Sequence, residues 1–256
     1  MFLVFSKDKI QTYVVSVLTV VLLIFLANID KNDVIQTSAL EKNLPIYNVQ
    51  TEEKKIAFTM NCAWNADDID SILETLRANN VKITFFIVGE WADKYPEEVK
   101  KISEAGHEIG THSNTHPHVN NLSAEKNLEE IKISVNKLEK LTNQKITLYR
   151  TPYGEYNDIV IETSRNNGYF PIQWNIDTLD YEGLNCEEMW NRIKGKLSNG
   201  SIILSHNGTE HTAESLDTII KNIKKQGYDF VKVSDLIYKE NYIINSNGTQ
   251  ILQDIE

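Results

Sequence analysis

Residues 82–118 read KITFFIVGEWADKYPEEVKKISEAGHEIGTHSNTHPH. Lys82–Val88 is a short, nearly continuous apolar run, which is the pattern of a strand buried on both faces. Trp91–Ala105 follows at helical spacing and stops at Gly106. His107–Gly110 is a second short strand that leads directly into His112, His116 and His118. A strand, a helix and a strand in that order make a parallel βα unit. The unit recurs on both sides. Upstream, Ile56–Met60 reads as a strand and Asp67–Asn79 as a helix with Ile69, Ile72, Leu73 and Leu76 on one face. Downstream, Ser123 is the N-cap candidate of a long helix over 124–141. Strand-like segments follow at 146–149, 169–174, 201–204 and 230–233, with helices at 158–166, 187–197 and 213–226. Repeated βα units over about 190 residues imply a parallel sheet with outer helices. A closed or nearly closed barrel fits one domain of this size, and a doubly wound open sheet is the alternative.

In such a barrel the loops after the strands share one face, which carries the chemistry. Here those loops are 61–68, 112–122, 150–156, 175–185 and 205–212. The chain has six histidines, and three of them fall within 112–118. Two imidazoles four residues apart in one loop can face a single cation, and histidine is the commonest metal ligand near neutral pH.

The first thirty residues read differently. Lys7 and Lys9 precede an apolar run, Tyr13–Ala27, and Asp30 follows. Extended to Ile10–Ile29, the run reaches the ~20 residues of a membrane span. Lysines before and an acid after predict an inside amino terminus and a domain outside the cytoplasm. The predicted organisation is an N-terminal membrane anchor at 1–30, a linker at 31–50, the domain at 51–240 and a C-terminal tail at 241–256. The net charge of −10 speaks against nucleic acid, which needs clustered cations. Cys62 and Cys186 are too few for a disulfide framework.

Five segments resemble the polysaccharide deacetylases of the NodB-homology type (carbohydrate esterase family 4). Thr59-Met60-Asn61-Cys62-Ala63 stands where that family has Thr-Phe-Asp-Asp-Gly. His112-Ser113-Asn114-Thr115-His116 matches His-Ser/Thr-x-x-His, and Arg150-Thr151-Pro152-Tyr153-Gly154 matches Arg-x-Pro-Tyr/Phe-Gly. Asn175-Ile176-Asp177-Thr178-Leu179-Asp180-Tyr181 is similar to the Asp-Ser-x-Asp-Trp region, and Leu204-Ser205-His206 to Leu-x-His. The resemblance spans about Lys55–Tyr238. It implies a deformed parallel (β/α) barrel and a metal-dependent hydrolase that removes N-acetyl groups from an amino-sugar polymer, with peptidoglycan first among candidates. It implies His112 and His116 as ligands of a divalent metal, zinc first, and His206 as general acid. It makes Arg150 the partner of the base, Asp177 the carboxylate that orients His206 or Arg150, and the Tyr153 backbone N–H a donor to the oxyanion. Trp174 and Tyr181 would line a sugar subsite.

One departure cuts against turnover. Asn61 stands where the family has its base aspartate, and an amide cannot take a proton from water. Three rescues are open: Asp67 or Asp68 reaching in, Cys62 binding zinc as thiolate, or metal hydroxide alone. Asp68 is the first choice for a third ligand and Cys62 the second. The alternative function is a carbohydrate-binding relative that has lost turnover. With Asn61 neutral, Arg150 needs another partner, and an Arg150–Asp177 ion pair is expected, so that Asp177→Asn costs more stability than Asp180→Asn.

Overall fold

The computed structural model describes residues 16–21 and 43–253. Residues 16–21 are helical and exposed. The remainder of the expected anchor lies outside the described residues, among which no helix is long and apolar enough to cross a membrane.

Residues 43–253 build a curled parallel half-barrel. Its sheet is formed by β2 (Lys55–Cys62), β3 (Thr84–Ile87), β4 (Glu108–Thr111), β5 (Leu148–Tyr149), β6 (Phe170–Pro171), β7 (Ile176–Asp177), β8 (Ile202–His206) and β9 (Asp229–Phe230). The order is β6-β5-β4-β3-β2-β8-β7, with β9 beside the start of β2. The consecutive strands β6 and β7 stand at opposite edges, so the barrel is not closed. Residues of the amino-terminal segment sit across that opening: Ile46 bridges to Ile172 and Asn48 to Ser201. Gly200, at φ +77, makes this possible, because a Cβ there would fall 1.7 Å from the Val49 carbonyl oxygen.

Alternation along β2 sorts its side chains into two layers. Phe58, Met60 and Cys62 belong to the larger core shared with the outer helices, whereas Ala57 packs with Phe86, Leu148 and Ile202 in a smaller inner core. The inward set continues as Thr59 and Asn61. The parallel register places Asn61 directly beside His206 of β8.

The outer layer comprises α1 (Ile69–Ala78), α2 (Gly89–Lys94), α3 (Pro96–Glu104), α4 (Ala124–Thr142), α5 (Asp158–Asn166), α6 (Cys186–Ile193), α7 (Thr212–Lys225) and the short α8 (Val233–Leu236). The helix expected over 91–105 is two helices. Pro96 cannot donate to the preceding turn and pushes Tyr95 out of the helical region, to φ −129 and ψ 55. The cap at Ser123 forms as read, accepting from Lys126 N.

Two domain limits are corrected. Leu44, Ile46 and Val49, placed in the linker, are buried. The expected tail contributes β10 (Tyr242–Ile244) and β11 (Thr249–Leu252), which join β1 (Asn48–Val49) in a three-stranded sheet ordered β1-β11-β10. These strands are only two to four residues long, too short to show a period of two.

Candidate active site

Asn61, His112, His116, Tyr153, Trp174, Asp177 and His206 line one cavity of about 440 Å³ at the carboxyl ends of the strands, together with Trp64 and Tyr181. Arg150 lies beneath it, fully buried.

The orientation of Asn61 follows from its neighbours. Arg150 Nη1 donates to Asn61 Oδ1 at 3.0 Å and to Thr59 Oγ1 at 2.8 Å. A guanidinium has no acceptor, so the carbonyl side of the amide must face it. The Nδ2 group then faces His112 Nε2, 3.2 Å away. His112 Nδ1 lies 2.8 Å from the Arg150 carbonyl oxygen, which can only accept, so Nδ1 carries the proton and Nε2 its lone pair. Asn61 therefore donates into the electron pair that His112 would offer a metal. Burial, and after it the neighbouring His116, push His112 well below the usual imidazole range. Burial likewise lowers His116.

The Arg150–Asp177 pair expected from sequence does not form. The four partners of the guanidinium are neutral: Thr59 Oγ1, Asn61 Oδ1 and the carbonyls of Ile172 and Gln173. Its carbon also sits 4.0 Å from the Phe86 ring centre. Burial pulls the Arg150 pKa down, and the field of Asp177 raises it only in part. Asp177 instead accepts from Leu179 N at 2.8 Å, an Asx turn that carries Leu179 through φ +54.

The carboxylate that orients His206 is Asp180. Its Oδ1 takes the Nδ1 hydrogen of His206 at 2.9 Å, and its Oδ2 accepts from His206 N at 2.6 Å and Thr212 Oγ1 at 2.7 Å. Asp180 is the second acid of the motif that pointed to Asp177, so the signal was present in the sequence. Asp180 is 1% exposed. Asp180→Asn turns one of these acceptors into a donor and is expected to cost about 2–3 kcal/mol, against under about 1 kcal/mol for Asp177→Asn. Urea denaturation of both variants measures the difference, and equal midpoints would contradict it.

Neither proposed third ligand reaches the histidine pair. Asp68 binds Asn207 Nδ2 at 3.1 Å and Gly208 N at 2.7 Å, and so fixes the loop after His206. Cys62 points into the outer core, where burial and the Asp68 charge raise its thiol pKa and disfavour the thiolate. It is not disulfide-bonded. Among the described residues no group of three His, Cys, Asp or Glu could hold a metal ion. Two imidazoles, one already engaged by an amide, fall short of the three protein ligands of a catalytic zinc site. The donor set does not fit the expected metal.

The sequence also gave no sign of Glu130 on α4. Its Oε2 accepts from Ser113 Oγ at 2.6 Å, Asn114 N at 2.9 Å and Thr115 N at 2.8 Å, and its Oε1 from Thr115 Oγ1 at 3.1 Å. The loop it holds passes through left-handed conformations at Ser113 (φ +70) and His116 (φ +58), which non-glycine residues rarely adopt. Glu130→Ala is expected to lower stability by about 2 kcal/mol in urea denaturation, while exposed Glu129→Ala should stay within about 0.5 kcal/mol. His118 leaves the histidine pair, stacks on the Tyr153 ring at 4.4 Å and meets Glu155 at 2.8 Å. His107 is a core histidine that accepts from Ile83 N.

The family model for polysaccharide deacetylase matches residues 48–172. The peptidoglycan deacetylase PdaC from Bacillus subtilis is 31% identical in sequence, with 73% of this chain and 92% of that chain aligned at a TM-score of 0.65. The chain belongs to the polysaccharide deacetylase family. A second relative departs from activity: BA3943 from Bacillus anthracis, described as a CE4 family pseudoenzyme, is 33% identical over 75% of this chain and 68% of its own, at a TM-score of 0.72. A mutant of BA3943, with equal identity and TM-score, is described as having restored enzymatic activity. The chain spans 60% of the length of YlxY from Bacillus subtilis, to which it is 32% identical.

Proposed function

We propose that this deacetylase-family domain binds an N-acetylated amino-sugar polymer of the peptidoglycan type in its cleft, and that Asn61 suppresses hydrolysis of the N-acetyl group. One observation carries the reading. The Asn61 amide, fixed by Arg150, donates to His112 Nε2 at 3.2 Å at the position where the family motif has its base. It can neither accept a proton from water nor leave His112 open.

The remainder of the cleft keeps the features that bind a sugar. Trp64, Tyr153, Trp174 and Tyr181 give it aromatic walls, with a few polar groups between them. The left-handed turn at Tyr153 sets the backbone that would donate to an acetyl oxygen. His206, held at Nδ1 by Asp180, presents its other nitrogen to the cleft. That pair favours a second reading, a slow hydrolase in which His206 protonates the leaving amine. The apolar run of residues 13–27 supports placement on the outer face of the cell membrane, where such a polymer lies.

The test measures binding of chitin oligomers and purified peptidoglycan by calorimetry, with acetate release followed in parallel in added zinc. Binding without acetate release is expected. Release by the parent chain within about tenfold of the Asn61→Asp variant would overturn the suppression, since a base typically contributes about 10²–10⁴-fold. Failure to bind any N-acetylated glycan would overturn the binding role.

A further inference from the structure

The third histidine of the 112–118 cluster takes no part in the His112–His116 pair. The His118 ring lies against that of Tyr153 instead, with 4.4 Å between centres and the planes 13° from parallel. The same phenol ring meets His116 edge to face at 4.5 Å. Glu155, two residues beyond Tyr153, fixes the His118 imidazole, with Oε1 2.8 Å from Nδ1. An ionised carboxylate only accepts, so Nδ1 carries the hydrogen. The other oxygen of Glu155 is buried and has no partner among the described residues. His118 is therefore the one described group that holds this carboxylate.

The contact bears on the backbone. Tyr153 stands at φ +58 and ψ 8. Non-glycine residues rarely adopt this left-handed conformation, and it persists only where the surroundings enforce it. Its neighbour Gly154 abuts Trp174, where a Cβ would fall 3.1 Å from the indole. The turn is thus held at two points, by Trp174 and by the His118–Glu155 pair. The segments that resemble the family contain Tyr153 and Gly154, but neither His118 nor Glu155.

We propose that His118 and Glu155 are positioning residues for Tyr153, and that through it they set how strongly the cleft prefers an acetamido group to a hydroxyl. The inference rests on the saccharide-binding reading above, in which the Tyr153 N–H donates to the acetyl oxygen. A hydrogen bond weakens steeply as the N–H turns away from its acceptor. An N–H carried on a strained residue keeps its aim only while that residue is held. His118 and Glu155 act through Tyr153 and need not touch the sugar.

The experiment is calorimetric titration of the full chain in detergent with chitotetraose and cellotetraose. These are neutral oligomers with the same linkage that differ in the acetamido group. The parent should prefer chitotetraose by about tenfold, roughly the worth of one added hydrogen bond. His118→Ala and Glu155→Ala should each cut that preference to under about threefold. The double variant should go little lower than either, because both changes remove the same hold. Glu155→Gln keeps an acceptor for His118 and should stay within about twofold of the parent. The His118 side chain is 60% exposed, so its truncation leaves the core packed. A preference that survives both alanine variants, or equal weakening of the two oligomers, would overturn the positioning role while leaving the binding role in place. A parent chain with no preference between the oligomers would do the same. No binding of either oligomer would overturn both.

Discussion

Asn61→Asp is expected to raise acetate release from N-acetylated glycan by about 10²–10⁴-fold over the parent chain, the usual contribution of a positioned general base. The site is built to receive a carboxylate there. Arg150 already directs an N–H at Oδ1 from 3.0 Å, and its other partners are all neutral. A carboxylate would give this buried cation a counter-charge, and the substitution should not destabilise the fold. It would also remove the N–H that now points at His112 Nε2. His112 and His116 would then both have a free lone pair to offer a metal, with the new carboxylate beside them as base. A second readout follows: the variant should take up zinc that the parent does not, measured as metal retained after dialysis. If acetate release stays at the parent level while zinc is retained, the block lies elsewhere than in the missing base.

Arg150→Ala should be the most damaging single change to the fold, at about 3–5 kcal/mol. For a domain of this size that corresponds to a fall in Tm of about 10 °C or more. Arg150 is among the largest fully buried side chains. Truncation opens a void over Phe86 and strips four acceptors of their donor, among them the carbonyls of Ile172 and Gln173. Arg150→Lys should also cost several kcal/mol, because one ammonium cannot reproduce the fork that spans β2 and the 172–173 segment. Calorimetric melting of both variants measures the effect. Unchanged melting in either would show that the buried guanidinium is not what ties these elements together.

Residues 82–118 were enough to read the repeating βα unit, since apolar strands and amphipathic helices have different periods and Gly106 marks where one ends. The histidine pair, Arg150 and His206 were legible for a related reason: local motifs at the ends of strands all emerge on one face of a parallel sheet. Short segments were not legible. β1, β10 and β11 have no period to recognise, and their burial comes from one another and from the open edge of the half-barrel. Choosing between Asp177 and Asp180 was beyond the sequence as well, because both belong to one motif. The turn at Leu179 decides which carboxylate faces β8. The role of Glu130, seventeen residues beyond Ser113, appears only when α4 packs on the loop it holds.

The residue types at the site, including an amide where a base belongs, are properties of the chain alone, and the loss of a proton acceptor at position 61 follows from them. The consequence for metal is tertiary. Strand alternation sends Cys62 into the outer core, and the loop at 207–208 claims Asp68. A fully buried guanidinium turns the Asn61 amide toward His112. Hydrogen-bond direction between groups 51 and 89 residues apart is set by packing, and no local pattern in the sequence encodes it.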